Sequence, residues 1–289
     1  MKQVHTLTIL SVIILILSLF TSILGIIPGN MKIPESERSV TSFRGEVFEY
    51  YGEGLYSHET VSYAVQAKAQ DWVTIVLGIP LLLTGLLLFR RGSFRGLLLL
   101  TGTLGYFLYT YISYCFLVSY NRLFLLYVIL FAVSLYGFII SFVQLFKGDI
   151  SAHFPESFPR KSLGIFFILT GVMLLFLWLG RIIPSMDGNT PPFGLEIYTT
   201  LVIQAMDLAL IVPAAVISGM ALLQKKNLGY GLGAVIVVKG ITMFTAVSLM
   251  GIFQYRAGVV ISIAELFIFP IPTLINLFFA FLLFKSVKN

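Results

Sequence analysis

The sequence predicts an all-α polytopic membrane protein of eight transmembrane helices, arranged as two tandem, parallel four-helix repeats. Three observations carry that prediction: a composition too apolar for water, eight apolar stretches of spanning length, and basic residues gathered on alternate connections. The 289 residues are 58% hydrophobic, 15% aromatic and only 11% charged, with a mean hydropathy of +0.95. A soluble domain carries about 25% charged residues, so this chain has too little charge to cover a water-facing surface. Disordered, collagenous and nucleic-acid-binding proteins are excluded as well, because each needs a polar or repeat-biased composition.

A spanning helix needs about 20 mostly apolar residues. The stretches that qualify, in order, are Leu7–Ile27, Trp72–Phe89, Gly96–Val118, Leu123–Phe146, Ser162–Gly180, Thr199–Leu223, Leu228–Phe253 and Gly258–Phe284. The second is the shortest, but Ser57-His58-Glu59-Thr60 reads as a helix start, which lengthens it toward the headgroups. The first has a basic start but a long core and no small-residue cleavage site, so it is expected to be a retained span. Between spans 1 and 2 lies a loop of 44 residues, Pro28–Asp71. Within it, Phe43–Tyr51 is rich in aromatic and β-branched residues and is followed by Gly52-Glu53-Gly54, which predicts a small hairpin.

Orientation follows from charge. With the N-terminus inside the cell, eleven Lys and Arg fall on the inner side with two acids, Asp149 and Glu156. The outer side then receives seven Lys and Arg with nine acids. Short basic connections stay cytoplasmic, so both termini are expected in the cytoplasm of a cell-membrane protein. The net charge of +6 is thereby explained without nucleic acid.

An ordered series of matches suggests the repeat. Leu24-Gly25 with Pro28 answers Leu179-Gly180 with Pro184, and Asp71 answers Asp207. Each acid is followed by a proline in the same helix, Pro80 and Pro213, and each helix ends in a basic pair, Arg90-Arg91 and Lys225-Lys226. Gly96 and Gly105 then match Gly231 and Gly240 at one offset of 135. The expected units are residues 1–150, with the long loop 28–71, and residues 151–289. Units of four spans enter the membrane in the same direction, as in parallel-repeat transporters.

Charges inside spans cost about 2.5–3.5 kcal/mol each and face the bundle interior. Three stand out: Asp207, Lys239 and Glu265. At about 1.5 Å per residue, Asp207 and Glu265 lie roughly 10–12 Å from the outer surface and Lys239 roughly 20 Å. Gln204, Thr242 and Ser262 each sit three residues from one of these charges, on the same helix face. The six residues are candidates for a ligand or ion-coupling site, beside a helix broken at Pro270 and Pro272. An internal salt bridge that locks helices together is the competing explanation. In span 3, Thr103, Tyr106, Thr110 and Ser113 form one polar stripe among five tyrosines, and with Asp71 they are secondary cavity candidates. Hydrogen-bonded packing between helices would produce the same stripe.

The absences restrict the chemistry. Cys115 is the one cysteine, and His5, His58 and His153 lie in three separate non-membrane segments, so no metal site and no disulfide is expected. No HExxH, GxSxG or Walker loop appears, no cofactor is implied, and the sequence argues against an enzyme. A lipid-modifying enzyme would have only Asp71, His58 and Glu59 as interfacial catalysts, a group better explained by an amphipathic helix start. Lys239 also invites a retinal-type linkage, but eight spans and two tryptophans argue against it. Two functions remain: transport or binding of a small molecule or ion within the second repeat, or a partner subunit or assembly factor acting on another membrane protein. Both work in a lipid bilayer.

Overall fold

The computed structural model describes residues 2–29, 32–261 and 263–288, with backbone only at residues 2 and 263–265. Among the described residues there are eight helices long and apolar enough to cross a membrane, consistent with a multi-pass membrane protein. They are α1 (Gln3–Ile26), α2 (Val61–Arg90), α3 (Phe94–Phe116), α4 (Phe124–Leu145), α5 (Arg160–Ser185), α6 (Val202–Leu223), α7 (Asn227–Arg256) and α8 (Leu266–Ser286). Large apolar side chains such as Ile16, Leu125, Phe176 and Phe281 point away from the protein. Only lipid accepts such a surface over whole helices.

The helices pack in a simple order. α1 lies against α2 and α4, and α3 lies against α2 and α4, which closes the first four into a ring. In the second half, α6 packs on α5 and α7, and α8 packs on α7. The halves join where α7 lies against both α2 and α3. This places α3 at the centre, with Leu98, Leu100, Leu104, Tyr106, Phe107 and Tyr111 fully buried. The central helix touches protein on every side, so it can carry tyrosines and threonines that a lipid-facing helix cannot.

Small residues allow the close approaches. A Cβ on Gly102 of α3 would lie 2.4 Å from Val238 Cβ of α7, and one on Gly219 of α6 would lie 2.6 Å from the Gly164 carbonyl oxygen of α5. The turns α2–α3 and α6–α7 share one geometry, displaced by 133 residues. Gly92 and Lys225 both have positive φ, +78° and +58°. Ser93 N donates to Leu88 O at 3.1 Å, and Lys226 N donates to Ala221 O at 2.9 Å. Upstream, α2 and α6 each contain one widened π-turn, Thr74–Gly78 and Asp207–Ile211, directly ahead of Pro80 and Pro213. A proline has no N–H to donate, and the extra residue in the turn accommodates its ring.

One expectation holds and two are corrected. α2 starts at Val61, capped by Thr60, where residues 57–60 predict a helix start, so it is far longer than its apolar stretch. Its first turns are shielded by the long loop and do not need apolar side chains. α8 does not begin at Gly258: the chain turns at Ala257-Gly258, and the helix breaks at Phe269 ahead of Pro270. Phe269 O, at the break, is taken by Thr273 N at 3.0 Å and Thr273 Oγ1 at 2.8 Å. The loop hairpin pairs β1 (Ser39–Thr41) with β2 (Val47–Glu49), turning through Phe43-Arg44-Gly45. Phe43 therefore belongs to the turn, because Ser42 collects the N–H groups of Arg44 and Glu46 and Gly45 supplies the positive φ.

Candidate functional site

A cavity of about 730 Å3 lies between the two halves, walled by α2, α3, α5, α6, α7 and the start of α8. Its deep end is formed by Tyr109, Thr170, Ile211 and Lys239. Higher up, Leu174, Leu177, Met243, Phe244 and Val247 make apolar walls. The loops α1–α2 and α5–α6 close over the other end.

Asp207 opens the π-turn of α6 and is only 8% exposed. Tyr109 Oη donates to its Oδ1 at 2.7 Å, and Trp178 Nε1 donates to its Oδ2 at 2.9 Å. Lys239, on α7, holds its Nζ 4.1 Å from the centroid of the same Tyr109 ring. Asp207 and Lys239 both face the cavity, yet among the described residues they do not form an ion pair within 4.0 Å. Tyr109 engages both, the acid through its hydroxyl and the base through its ring.

The other candidates divide. Gln204 lines the cavity beside Asp207, and Thr110 and Ser113 line it from α3. Thr242 does not, because its Oγ1 turns back to Lys239 O at 2.9 Å. Thr103 likewise bonds Leu99 O at 2.7 Å. Tyr106 is packed inside the first half, where its hydroxyl meets Thr74 Oγ1 at 2.7 Å and Gln70 Nε2 at 2.8 Å. Ser262 and the side chain of Glu265 lie outside the described residues. Asp71, expected to match Asp207, sits in a separate, buried cluster that does not line the cavity. Tyr56 Oη donates to it at 2.6 Å and Tyr114 Oη at 3.1 Å. Gly25 of α1 makes the room, since a Cβ there would fall 1.9 Å from Asp71 Oδ2.

Two partners escaped the sequence. Trp178 looks like an ordinary interface aromatic, and Tyr109 is one tyrosine among five in span 3. Only the approach of α5 and α3 to α6 gives them a carboxylate to hold. No three or more His, Cys, Asp or Glu side chains among the described residues gather in a way that would hold a metal.

The loops over the cavity are tied by polar contacts. Arg44 donates to the carbonyl oxygens of Glu196 and Tyr198, and Tyr63 Oη donates to Gly194 O at 3.1 Å. Glu59 accepts from Tyr198 Oη and Ser119 N, while Thr60 Oγ1 donates to the Glu196 carboxylate. Burial pushes both carboxyls above the ordinary 4.5, against the pull of these hydrogen bonds. A raised carboxyl favours the folded loop in its protonated state. The loops are thus expected to hold most firmly near pH 4.5, and to loosen as rising pH ionises Glu59 and Glu196. Hydrogen exchange at residues 44–60 across pH 4.5–8 checks this, and Glu59→Gln should flatten the profile. A loop that tightens with rising pH would contradict the burial of these acids.

No protein-family model, no curated protein and no solved structure matches this chain.

Proposed function

We propose that the protein binds a small organic molecule in the cavity at Asp207 and Lys239 and moves it across the membrane. The observation that carries this proposal is the pair of opposite charges facing one cavity at the depth of the spans. A structural lock would bring the two charges together, since two unit charges 4 Å apart gain about 4 kcal/mol even at an effective dielectric of 20. A volume of about 730 Å3 also falls within the range of small-molecule sites, about 300–1,000 Å3. The test fills the space: Val247→Trp should abolish binding of whatever small molecule co-purifies, by at least about tenfold, with unchanged thermal stability. Retention of that molecule at full occupancy by the variant would remove the cavity from the function.

Two features support a parallel duplication as the framework of the site. The π-turns, prolines and turn geometries recur at an offset of 133, and Gly102 packs against the Val235 carbonyl, its own counterpart at that offset. A residue near a two-fold axis meets its own copy. At this offset Asp207 answers Thr74, and Lys239 answers Tyr106. The charged pair thus replaces a hydrogen-bonded pair that fills the core of the first half. The 135 offset of the glycines is shifted by two residues, and the counterpart of Asp71 becomes Gln204.

The same proposal places the ends. Gln3, Lys147, Asn227, Arg95 and Lys288 meet at one end, through Lys147 Nζ to Gln3 Oε1 at 2.9 Å and Lys288 N to His153 O at 2.9 Å. This is the basic end, and it faces the cytoplasm of a cell membrane under the positive-inside rule. Single cysteines at 91, 160 and 225, in a chain with Cys115→Ala, should react only with reagent supplied from the cytoplasmic side. Labelling at 91 from outside would invert the assignment.

A partner-subunit role has one observation in its favour. Phe43, Val47, Met186 and Phe193 are more than 60% exposed on the loops over the cavity, beyond the lipid-facing spans. Such side chains suit another protein's surface. Replacing Phe43 and Met186, neither of which lines the cavity, by serine separates the two roles, since a binder of small molecules keeps its ligand and a partner subunit loses its partner.

A further inference from the structure

We infer that the ligand of this cavity is a small zwitterion with an apolar body, its ammonium placed at Asp207 and its carboxylate at Lys239. The inference rests on the proposal that the cavity takes a small molecule, and it adds the class of molecule. Four features point to it.

The two charges are opposite, so the level of the cavity at Asp207 and Lys239 is formally neutral, while Arg181, Glu46, Glu59 and Glu196 line it elsewhere. A neutral ligand of split charge matches the pair. They are held apart by Tyr109, which gives its hydroxyl to Asp207 at 2.7 Å and its ring face to Lys239 at 4.1 Å. Each therefore keeps its own direction into the cavity.

Their capacities also differ in the right sense. Lys239 carries three N–H donors, and among the described residues it donates no hydrogen bond. A carboxylate supplies the acceptors. Asp207 receives one donor on each oxygen, which leaves lone pairs on both for an ammonium, and Gln204 beside it adds a further polar contact.

The walls set the rest of the molecule. Leu174, Leu177, Met243, Phe244 and Val247 rise from the charged level without a polar atom among their side chains. They would meet an aliphatic or aromatic substituent of the ligand.

Finally, molecules with a single charge are disfavoured. A lone anion would bring its carboxylate to Lys239 and still face Asp207, and a lone cation would face Lys239. Like charges in a water-poor site repel strongly. The neutral pair is thus a device for selecting against both.

The experiment uses the full chain in lipid nanodiscs and three probes of one shape: phenylalanine, 3-phenylpropanoate and 2-phenylethylamine. Phenylalanine is expected to bind, and each single-charge analogue to bind about 10-fold to 100-fold more weakly, as expected for losing hydrogen bonds to a charged group. Lys239→Met should raise the affinity for the amine relative to phenylalanine, and Asp207→Asn should do the same for the acid. These exchanges of preference read the charges themselves, which a merely destabilised protein would not mimic. If the acid or the amine binds as tightly as phenylalanine, the zwitterion is overturned while the cavity stands. If no probe binds, the zwitterion is again overturned, and the Val247→Trp comparison on co-purified material decides the cavity independently.

Discussion

Asp207→Ala is expected to lower stability by about 3–5 kcal/mol and to abolish ligand binding, the largest paired effect of any single substitution in this protein. Two buried donors lose their acceptor at once, and a nearby cation loses its counter-charge. Tyr109 Oη and Trp178 Nε1 are left without an acceptor, at a cost of about 1–3 kcal/mol for each unsatisfied buried group. Lys239 loses the negative charge that balances it inside the bundle. Because Lys239 is not ion-paired with Asp207 among the described residues, this adds less than the roughly 3–5 kcal/mol that breaking a buried ion pair costs, and the two orphaned donors make up most of the loss. The double variant Asp207→Ala with Lys239→Met should regain the part due to the lysine but not the part due to Tyr109 and Trp178. Thermal unfolding in detergent gives the stability, and retention of the co-purified molecule gives the function. A double variant that is stable and still binds fully would show that neither charge serves the ligand.

Gly96→Val and Gly229→Val should each destabilise by about 3 kcal/mol, at the upper end of what overpacking costs. These glycines stand 133 residues apart, one in the first turn of α3 and one in the first turn of α7. A Cβ on Gly96 would lie 2.4 Å from Phe89 N, and one on Gly229 would lie 2.3 Å from Leu222 N. Both obstacles are backbone, which cannot rotate aside as a side chain can. Gly231, the partner of Gly96 under the 135 offset, meets only the side chains of Ile150 and Phe146, so Gly231→Ala should cost less. Equal losses at 96 and 229, with a smaller one at 231, would favour the offset of 133. A larger loss at 231 than at 229 would favour 135.

Much of the architecture is legible along the chain. The number of spans and the start of α2 at Thr60 follow from single residues and their immediate neighbours. The candidate charges Asp207 and Lys239 and their neighbour Gln204 are visible for the same reason, since a charge in an apolar run is conspicuous. Less legible are the ends of span 8 and the hairpin turn. Val259, Val260 and Ile261 are as apolar as any helix, yet they follow the turn out of α7 at Gly258, whose φ is positive, and are not helical. Ser42 decides the hairpin through contacts that a β-propensity count does not contain.

Asp71 and Asp207 show where sequence reasoning stops. Each is an acid ahead of a proline in a spanning helix, and each accepts hydrogen bonds from a tyrosine. Asp71 meets Tyr56, Tyr114 and the notch at Gly25 and is sealed. Asp207 meets Tyr109 and Trp178 and faces open space. By itself the sequence determined the eight spans, the basic and acidic ends and the presence of charge within the second half, because the cost of placing a residue in lipid belongs to that residue. Only the tertiary structure decided which acid faces a cavity and which tyrosine stands between Asp207 and Lys239. Those are properties of helices meeting across more than a hundred residues, where one glycine or one ring sets the distance between two backbones.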